Sequence, residues 1–319
     1  MKHALSATLL SAVLSTVGLA SAPPLTFTPD EKGGGYAFDT GVLRGHIRMD
    51  GRSQGIDELV HTGSGVAVAE GGQLPGIFSH YRVFSTATRY GGAARDWPTE
   101  TRLLPDGALE VHWPAAEEHP LEMAATFRWA APDTLDLTTT VKPQREMPDF
   151  EVFLSSYFRP DFRALVYVKP NYFSQGQPEL LPTDVNPLVD GSYLVFPRDR
   201  QSVQTIFDGR WEKPPSPVQW SVTRWFAAPL ALRRHDSSGV AAAIMSLPSE
   251  CFAVSVPYNK SPPDRVAGHQ SVYLSLFGQD LAAGQSATAR ARLVVGEMTD
   301  EDAIRACADY IQRSNGDAR

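Results

Sequence analysis

The chain has 319 residues, 42% hydrophobic and 20% charged, with 29 basic against 36 acidic side chains and a formal charge of −7. That length can bury a large core, and an acidic balance without any basic run or stripe excludes nucleic acid as an expected partner. The 25 Gly and 25 Pro are spread through the sequence, which breaks it into many short segments joined by turns.

At the N-terminus, Lys2 and His3 precede the apolar run Leu5–Leu19, and Ala20-Ser21-Ala22 has the small-residue pattern of a cleavage site. Residues 1–20 read as a secretory signal peptide. Cleavage is expected after Ala20, because cutting after Ala22 would leave Pro23 first. The run is short for a membrane span, which needs ~20 apolar residues, and no other segment could span. The mature chain, residues 21–319, is expected as one exported domain, periplasmic or extracellular, without stable membrane insertion.

Strand patterns then recur along the chain. The first are Gly35–Thr40 and Leu43–Met49, followed by Gly51-Arg52-Ser53-Gln54-Gly55. That pentapeptide matches the nucleophile turn of α/β-hydrolases, but no alternation of strands and helices surrounds it, so it reads as a hairpin turn. Ile77–Phe84 is the next strand. It opens the densest polar and aromatic cluster of the chain, Ser79-His80-Tyr81-Arg82 and Arg89-Tyr90 through Arg95-Asp96-Trp97. Sugars are bound by this mixture: flat rings stack on C–H faces, charged groups hydrogen-bond hydroxyls, and Arg clamps carboxylates. The bland alternative is a surface loop with a satisfied ion pair and a buried Trp.

The clearest signal is the hairpin Leu121–Trp129 and Thr134–Val141. In its second strand Leu135, Leu137, Thr139 and Val141 alternate with Thr134, Asp136, Thr138 and Thr140, which is period two with one buried face. Ala108–Trp113 precedes it. Phe150–Phe158 and Ala164–Lys169 follow, and then Ser192–Phe196, Val218–Trp225, Val240–Leu247, Cys251–Pro257, Ser271–Phe277 and Ala287–Val295. The even spacing predicts an all-β fold, a large antiparallel sandwich or barrel, rather than βαβ units.

Two further loops are candidates. Phe207–Trp225 carries Asp208, Arg210, Trp211 and Glu212, then Pro214-Pro215-Ser216-Pro217 and Trp220, a composition suited to a cleft rim or to core aromatics beside a rigid turn. Tyr258–His269 places Asp264, Arg265 and His269 at a strand mouth. His269 has the unperturbed pKa for a general acid or base, although a lone His there is more often structural. Thr299–Arg313 is the one predicted helix: Thr299 and Asp302 form a start signal, and Ile304, Cys307, Ala308 and Ile311 make one apolar stripe. Cys251 and Cys307 are either a disulfide that staples this helix to the sheet or two buried thiols. No CxxC, HxH or HExxH occurs, so neither a metal nor a cofactor is expected.

The chain resembles the galactose-mutarotase-like supersandwich group, in a diffuse way. Thr134–Val141 followed by Phe150–Phe158 looks like that fold's pair of long strands ending in a His-x-Tyr-Phe type motif, here Ser155-Ser156-Tyr157-Phe158. Ser79-His80-Tyr81-Arg82 lies where such proteins present a His or Arg to the sugar, and Leu281–Ser286 looks like their turn into the last strand. The resemblance implies a large antiparallel two-sheet supersandwich, to which the predicted short C-terminal helix is added, and a carbohydrate partner. It implies acid–base chemistry on a sugar or uronic-acid polymer in an open cleft, of epimerase or lyase type, with a non-catalytic sugar-binding protein as the alternative. His80, His269 and Tyr157 are then the catalytic candidates, and Arg82, Tyr90, Arg95, Trp97, Trp211 and Asp264 the substrate-binding ones. The sequence departs from the epimerase pattern where Ser155 and Ser156 stand near the motif's His and Gln285 replaces the acidic residue of the turn. Glu250 is a substitute base on that reading.

Overall fold

Thr134–Pro143 is an inner strand of one sheet, and its alternation decides which way that sheet faces. Leu135, Leu137 and Val141 are buried in the main core, while Asp136 and Thr138 point away. Leu121–Ala131 pairs on one side with Met123, Ala125 and Phe127 facing the same core, and Ala287–Glu297 pairs on the other with Ala289, Ala291 and Leu293. The computed structural model describes residues 25–30, 34–71, 75–172, 174–183, 193–257 and 270–316.

Among the described residues there are three sheets, with strand pairs antiparallel apart from Tyr193–Pro197 beside Trp220–Val222. The nine-stranded sheet runs Glu179–Pro182, Phe162–Val168, Phe226–His235, Val240–Ser246, Ala287–Glu297, Thr134–Pro143, Leu121–Ala131, Leu109–Trp113 and Glu100–Leu103. The seven-stranded sheet runs Trp220–Val222, Tyr193–Pro197, Cys251–Pro257, Ser271–Leu281, Met147–Tyr157, Ser79–Ser85 and Thr88–Arg89. Val152, Leu154, Leu274 and Val254 on one side of the latter share a single core with Leu137, Val141 and Leu293 of the former. This is the expected all-β sandwich. The addition is a third, five-stranded sheet over Thr28–Ala69, whose Phe38, Leu43, Ile47 and Ile56 close the same core and whose Phe38 ring lies 5.0 Å from Trp129. Residues 49–54 are the hairpin turn between its third and fourth strands, as the residues around Gly51 predict.

Phe226–His235 has no clean alternation, because both its faces are buried: Ala231 in the main core, Leu230 and Leu232 under the C-terminal helix. Its Pro229 falls at a break in register with Phe162–Val168, the position where a strand tolerates a missing N–H. The helix Asp300–Gly316 covers the outer face of the nine-stranded sheet through Ala303, Cys307 and Tyr310. Its start is the predicted reciprocal cap: the Asp302 N–H donates to Thr299 Oγ1 (3.2 Å) and the Thr299 N–H to the Asp302 carboxylate (3.0 Å). Thr299→Ala is expected to lower the unfolding free energy by about 1 kcal/mol, read as an earlier denaturation midpoint with unchanged slope. An unchanged midpoint would show that the cap contributes nothing.

Cys251 lies in the main core and Cys307 beneath the helix on the far side of the nine-stranded sheet, so they are two free buried thiols and not a staple. Burial pushes both thiols up to about 12. No helix among the described residues is long and apolar enough to cross a membrane. Residues 1–20, Asp264 and His269 lie outside the described residues.

Candidate functional site

The outward face of the seven-stranded sheet is buried rather than solvated, and it mixes aromatic rings with polar and charged groups. Met147–Tyr157 sends Phe150, Val152 and Leu154 into the core and Glu151, Phe153 and Tyr157 outward. Ser271–Leu281 repeats this with Val272, Leu274 and Leu276 inward and Tyr273 outward. Beyond Cys251–Pro257, Tyr193 and Trp220 stand on the last two strands of the sheet. On Ser79–Ser85 the register slips between Phe153 and Leu154, which face Arg82 and His80 respectively. Tyr81 is the extra residue of that bulge, so Tyr81 and Arg82 both reach the outward face while His80 stays inside.

A segment that includes the short helix Arg200–Ile206, the 3-10 turn Arg210–Glu212 and Pro214–Val218 folds across this face. Asp199 caps the helix by accepting from the Ser202 N–H at 2.8 Å. Trp211 is held against Phe153 (4.6 Å) and Trp220 (5.0 Å, 87°). The Arg82 Nη2 donates to the Ser216 carbonyl at 2.7 Å and Arg89 Nη1 to the Pro215 carbonyl at 2.6 Å. Beneath the segment is a cavity of about 240 Å³ lined by Tyr81, Arg82, Tyr157, Tyr193, Trp220 and Tyr273, among others. Tyr193, Trp211 and Trp220 also border an adjoining hollow of about 720 Å³.

Four tyrosines thus converge, in unlike environments. Burial pushes the phenols of Tyr273, Tyr157 and Tyr193 above the ordinary value, and the Tyr157 and Tyr273 hydroxyls lie 3.4 Å apart. Burial also acts upward on Tyr81, but the charge of Arg82, its hydrogen bond to the hydroxyl (3.3 Å), and the charges of Arg95 and Arg89 outweigh it, so its pKa is lowered.

Of the residues expected to form the site, Arg82, Tyr157 and Trp211 line this cleft and Arg95 stacks over the Tyr81 ring at 4.6 Å. His80, Tyr90 and Trp97 are not at the cleft. His80 is fully buried between the sheets, with Nε2 3.0 Å from Thr139 Oγ1, Nδ1 3.3 Å from Gln54 Nε2, and the Trp113 ring at 4.9 Å. Tyr90 is buried with its hydroxyl 2.7 Å from Ser85 Oγ, and Trp97 stacks on His119 at 3.8 Å. For His80 the physical reason is the bulge together with strand alternation, which divide Ser79–Ser85 between two faces. Ser156, near the motif's His position, faces inward and accepts from the Phe78 N–H. Glu250 is held by Arg290, and Asp208 by Arg210 and the Ala87 N–H.

Phe153, Tyr193 and Tyr273 were not among the expected site residues. Their signal was available: Ser271, Tyr273 and Ser275 form a polar-aromatic face opposite Val272, Leu274 and Leu276. Among the described residues, no group of three or more His, Cys, Asp or Glu could hold a metal.

No protein-family model and no curated protein sequence matches the chain. Solved structures do. The Slr1438 protein of Synechocystis sp. PCC 6803 is 13% identical with a TM-score of 0.51, over 87% of this chain and 100% of that one. A galactose mutarotase related enzyme of Lactobacillus acidophilus is 12% identical with a TM-score of 0.49, over 83% and 98%. An aldose epimerase homologue of C. elegans is 8% identical with a TM-score of 0.46, over 86% and 100%. The likeness is one of fold. At such identities it assigns no residue a role, and the site stands on its own geometry.

Proposed function

We propose that the chain is an exported carbohydrate-active protein that seats a sugar ring under the 214–218 segment and moves protons with tyrosines, as an epimerase or lyase does. The observation that carries this reading is the aromatic cavity on the outward sheet face, where Phe153, Tyr273, Trp211 and Trp220 pack around a volume of single-ring size. Rings so arranged bind C–H faces of sugars, and phenols at the rim hydrogen-bond hydroxyls. Acid–base work needs two titratable groups whose environments push their pKa values apart. Tyr81, lowered by its arginines, fits the proton acceptor, and Tyr157, raised by burial, fits the donor. Export rests on the Lys2–Ala22 pattern.

One observation favours the alternative of a non-catalytic sugar-binding protein: among the described residues, no His or carboxylate lines the smaller cavity. Titration of the mature protein with mono- and oligosaccharides, read by tryptophan fluorescence and melting temperature, tests the cleft. Binding is expected for at least one saccharide, with Trp220→Ala weakening it about tenfold. No response to any saccharide would overturn the reading. For a bound sugar that is turned over, Tyr81→Phe is expected to lower kcat about a hundredfold or more with binding retained. Binding without turnover in the wild type would select the binding protein.

A further inference from the structure

Arg82, Arg89 and Arg95 surround Tyr81 on a protein whose formal charge is −7, and none of the three has a carboxylate partner among the described residues. Most other arginines of the structure do. Arg210 meets Asp208 and Glu151, Arg290 meets Glu250, and Arg292 meets Asp136. Arg82 is the sharpest case. It is 2% exposed, its Nη2 is shared between the Tyr81 phenol and the Ser216 carbonyl, and its Nε and Nη1 have no hydrogen-bond partner. The Nε atoms of Arg89 and Arg95 are buried without a partner as well. The Tyr81 and Trp211 rings, each 4.9 Å from the Arg82 guanidinium, offset part of this charge.

A buried cation is ordinarily paired, because its desolvation is otherwise uncompensated. Two uncharged carbonyls of the 214–218 segment do not neutralise three guanidinium groups. Planar donor forks match the oxygens of a carboxylate or a sulfate, and cations gathered in a low-dielectric cleft raise the local concentration of anions. The cluster borders the aromatic cavity directly, since Tyr81 and Arg82 line both.

We propose that Arg82, Arg89 and Arg95 form an anion subsite beside the Tyr81 hydroxyl, and that the saccharide bound in the cavity carries an anionic oxygen group, either a uronate carboxylate or a sulfate ester. This rests on the reading of the cavity as a sugar site. An anion placed there would take donors that now have no acceptor, and would draw Arg82 and Arg89 away from the Ser216 and Pro215 carbonyls.

The test compares matched ligands. Glucuronate- and galacturonate-containing disaccharides, the methyl esters of the same disaccharides, and 6-O-sulfated hexoses with their unsulfated parents are titrated against the mature protein by calorimetry. The charged member of at least one pair is expected to bind about ten- to a hundredfold tighter than its neutral counterpart. That preference should shrink as ionic strength rises. Preference for uronates identifies the carboxylate as the source, and preference for sulfated sugars the sulfate; either supports the subsite. Arg82→Met should abolish the preference. Arg95→Gln, at a partly exposed position, should reduce it without endangering the fold. Equal binding of charged and neutral members would overturn the subsite and leave the sugar cleft standing. A preference that survives Arg82→Met and Arg95→Gln would overturn it too. Failure of every charged and neutral ligand to bind would overturn both.

Discussion

Arg210→Met should lower the unfolding free energy by about 3–5 kcal/mol, the range for breaking a buried ion pair from one side. Arg210 and Glu151 are both 0% exposed and lie 3.0 Å apart. The same guanidinium donates to both Asp208 oxygens and to the Asp149 carbonyl at 2.8 Å, so it joins the crossing segment to the strand under it. Burial already pushes the Glu151 carboxyl up despite this partner. Without Arg210 the carboxylate either stays charged in an apolar layer or takes a proton, and each course is unfavourable. Urea denaturation at neutral pH measures the change. The double variant Glu151→Gln with Arg210→Met should recover part of the loss, because the uncompensated charge is then gone. A loss below about 1 kcal/mol for Arg210→Met, the scale of a solvated pair, would show that the network is not desolvated as described.

His80 should make the protein acid-sensitive. Burial lowers its pKa to about 3 from the model-peptide value of 6.5, so in the folded protein it stays neutral well into the acid range. The unfolded chain, by contrast, takes up a proton there as pH falls through about 6.5. Over that window the unfolded state binds more protons, and stability falls as pH is lowered. This one group should contribute a slope approaching about 1.4 kcal/mol per pH unit between roughly pH 6 and pH 3, and nothing above pH 7. His80→Gln retains a polar group facing Gln54 and Thr139 and removes the titration. The stability difference between wild type and variant, plotted against pH, should be flat above pH 7 and slope down for the wild type below it. A difference that stays flat to pH 4 would mean that water reaches the ring. The same burial removes His80 from proton transfer to a sugar: it faces Trp113 and Thr139 across the core, not the tyrosines of the cleft.

Within this short stretch the neighbours of His80, and not His80 itself, meet the cleft. Tyr81 and Arg82 meet the cavity, and Arg95 approaches from the turn Ala94–Asp96. An arginine without a carboxylate is not visible as such in a sequence, where Asp96 sits next to Arg95 and suggests an ion pair. Only the fold shows that no such pair forms among the described residues.

What the residues determine by themselves is the class of the fold. Alternation in Thr134–Pro143 and Leu121–Ala131 depends on one buried face, which is a local property, and both strands lie where the pattern predicts. The capped C-terminal helix is legible for the same reason, since its stripe and its Thr299–Asp302 cap lie within a few turns. Phe226–His235 is not legible in that way, because a strand buried on both faces loses its period; of the third sheet, Tyr36–Asp39 and Leu43–Arg48 lie where strands are predicted, but that they belong to a separate sheet is not legible. The site is less local still. Tyr81, Tyr157, Tyr193, Trp220 and Tyr273 come from five strands, and what unites them is the outward face of one sheet under a crossing segment. A single bulge at Tyr81 sends His80 inward and Tyr81 and Arg82 outward. Sequence spacing cannot reveal this, because a one-residue slip reverses every side chain that follows.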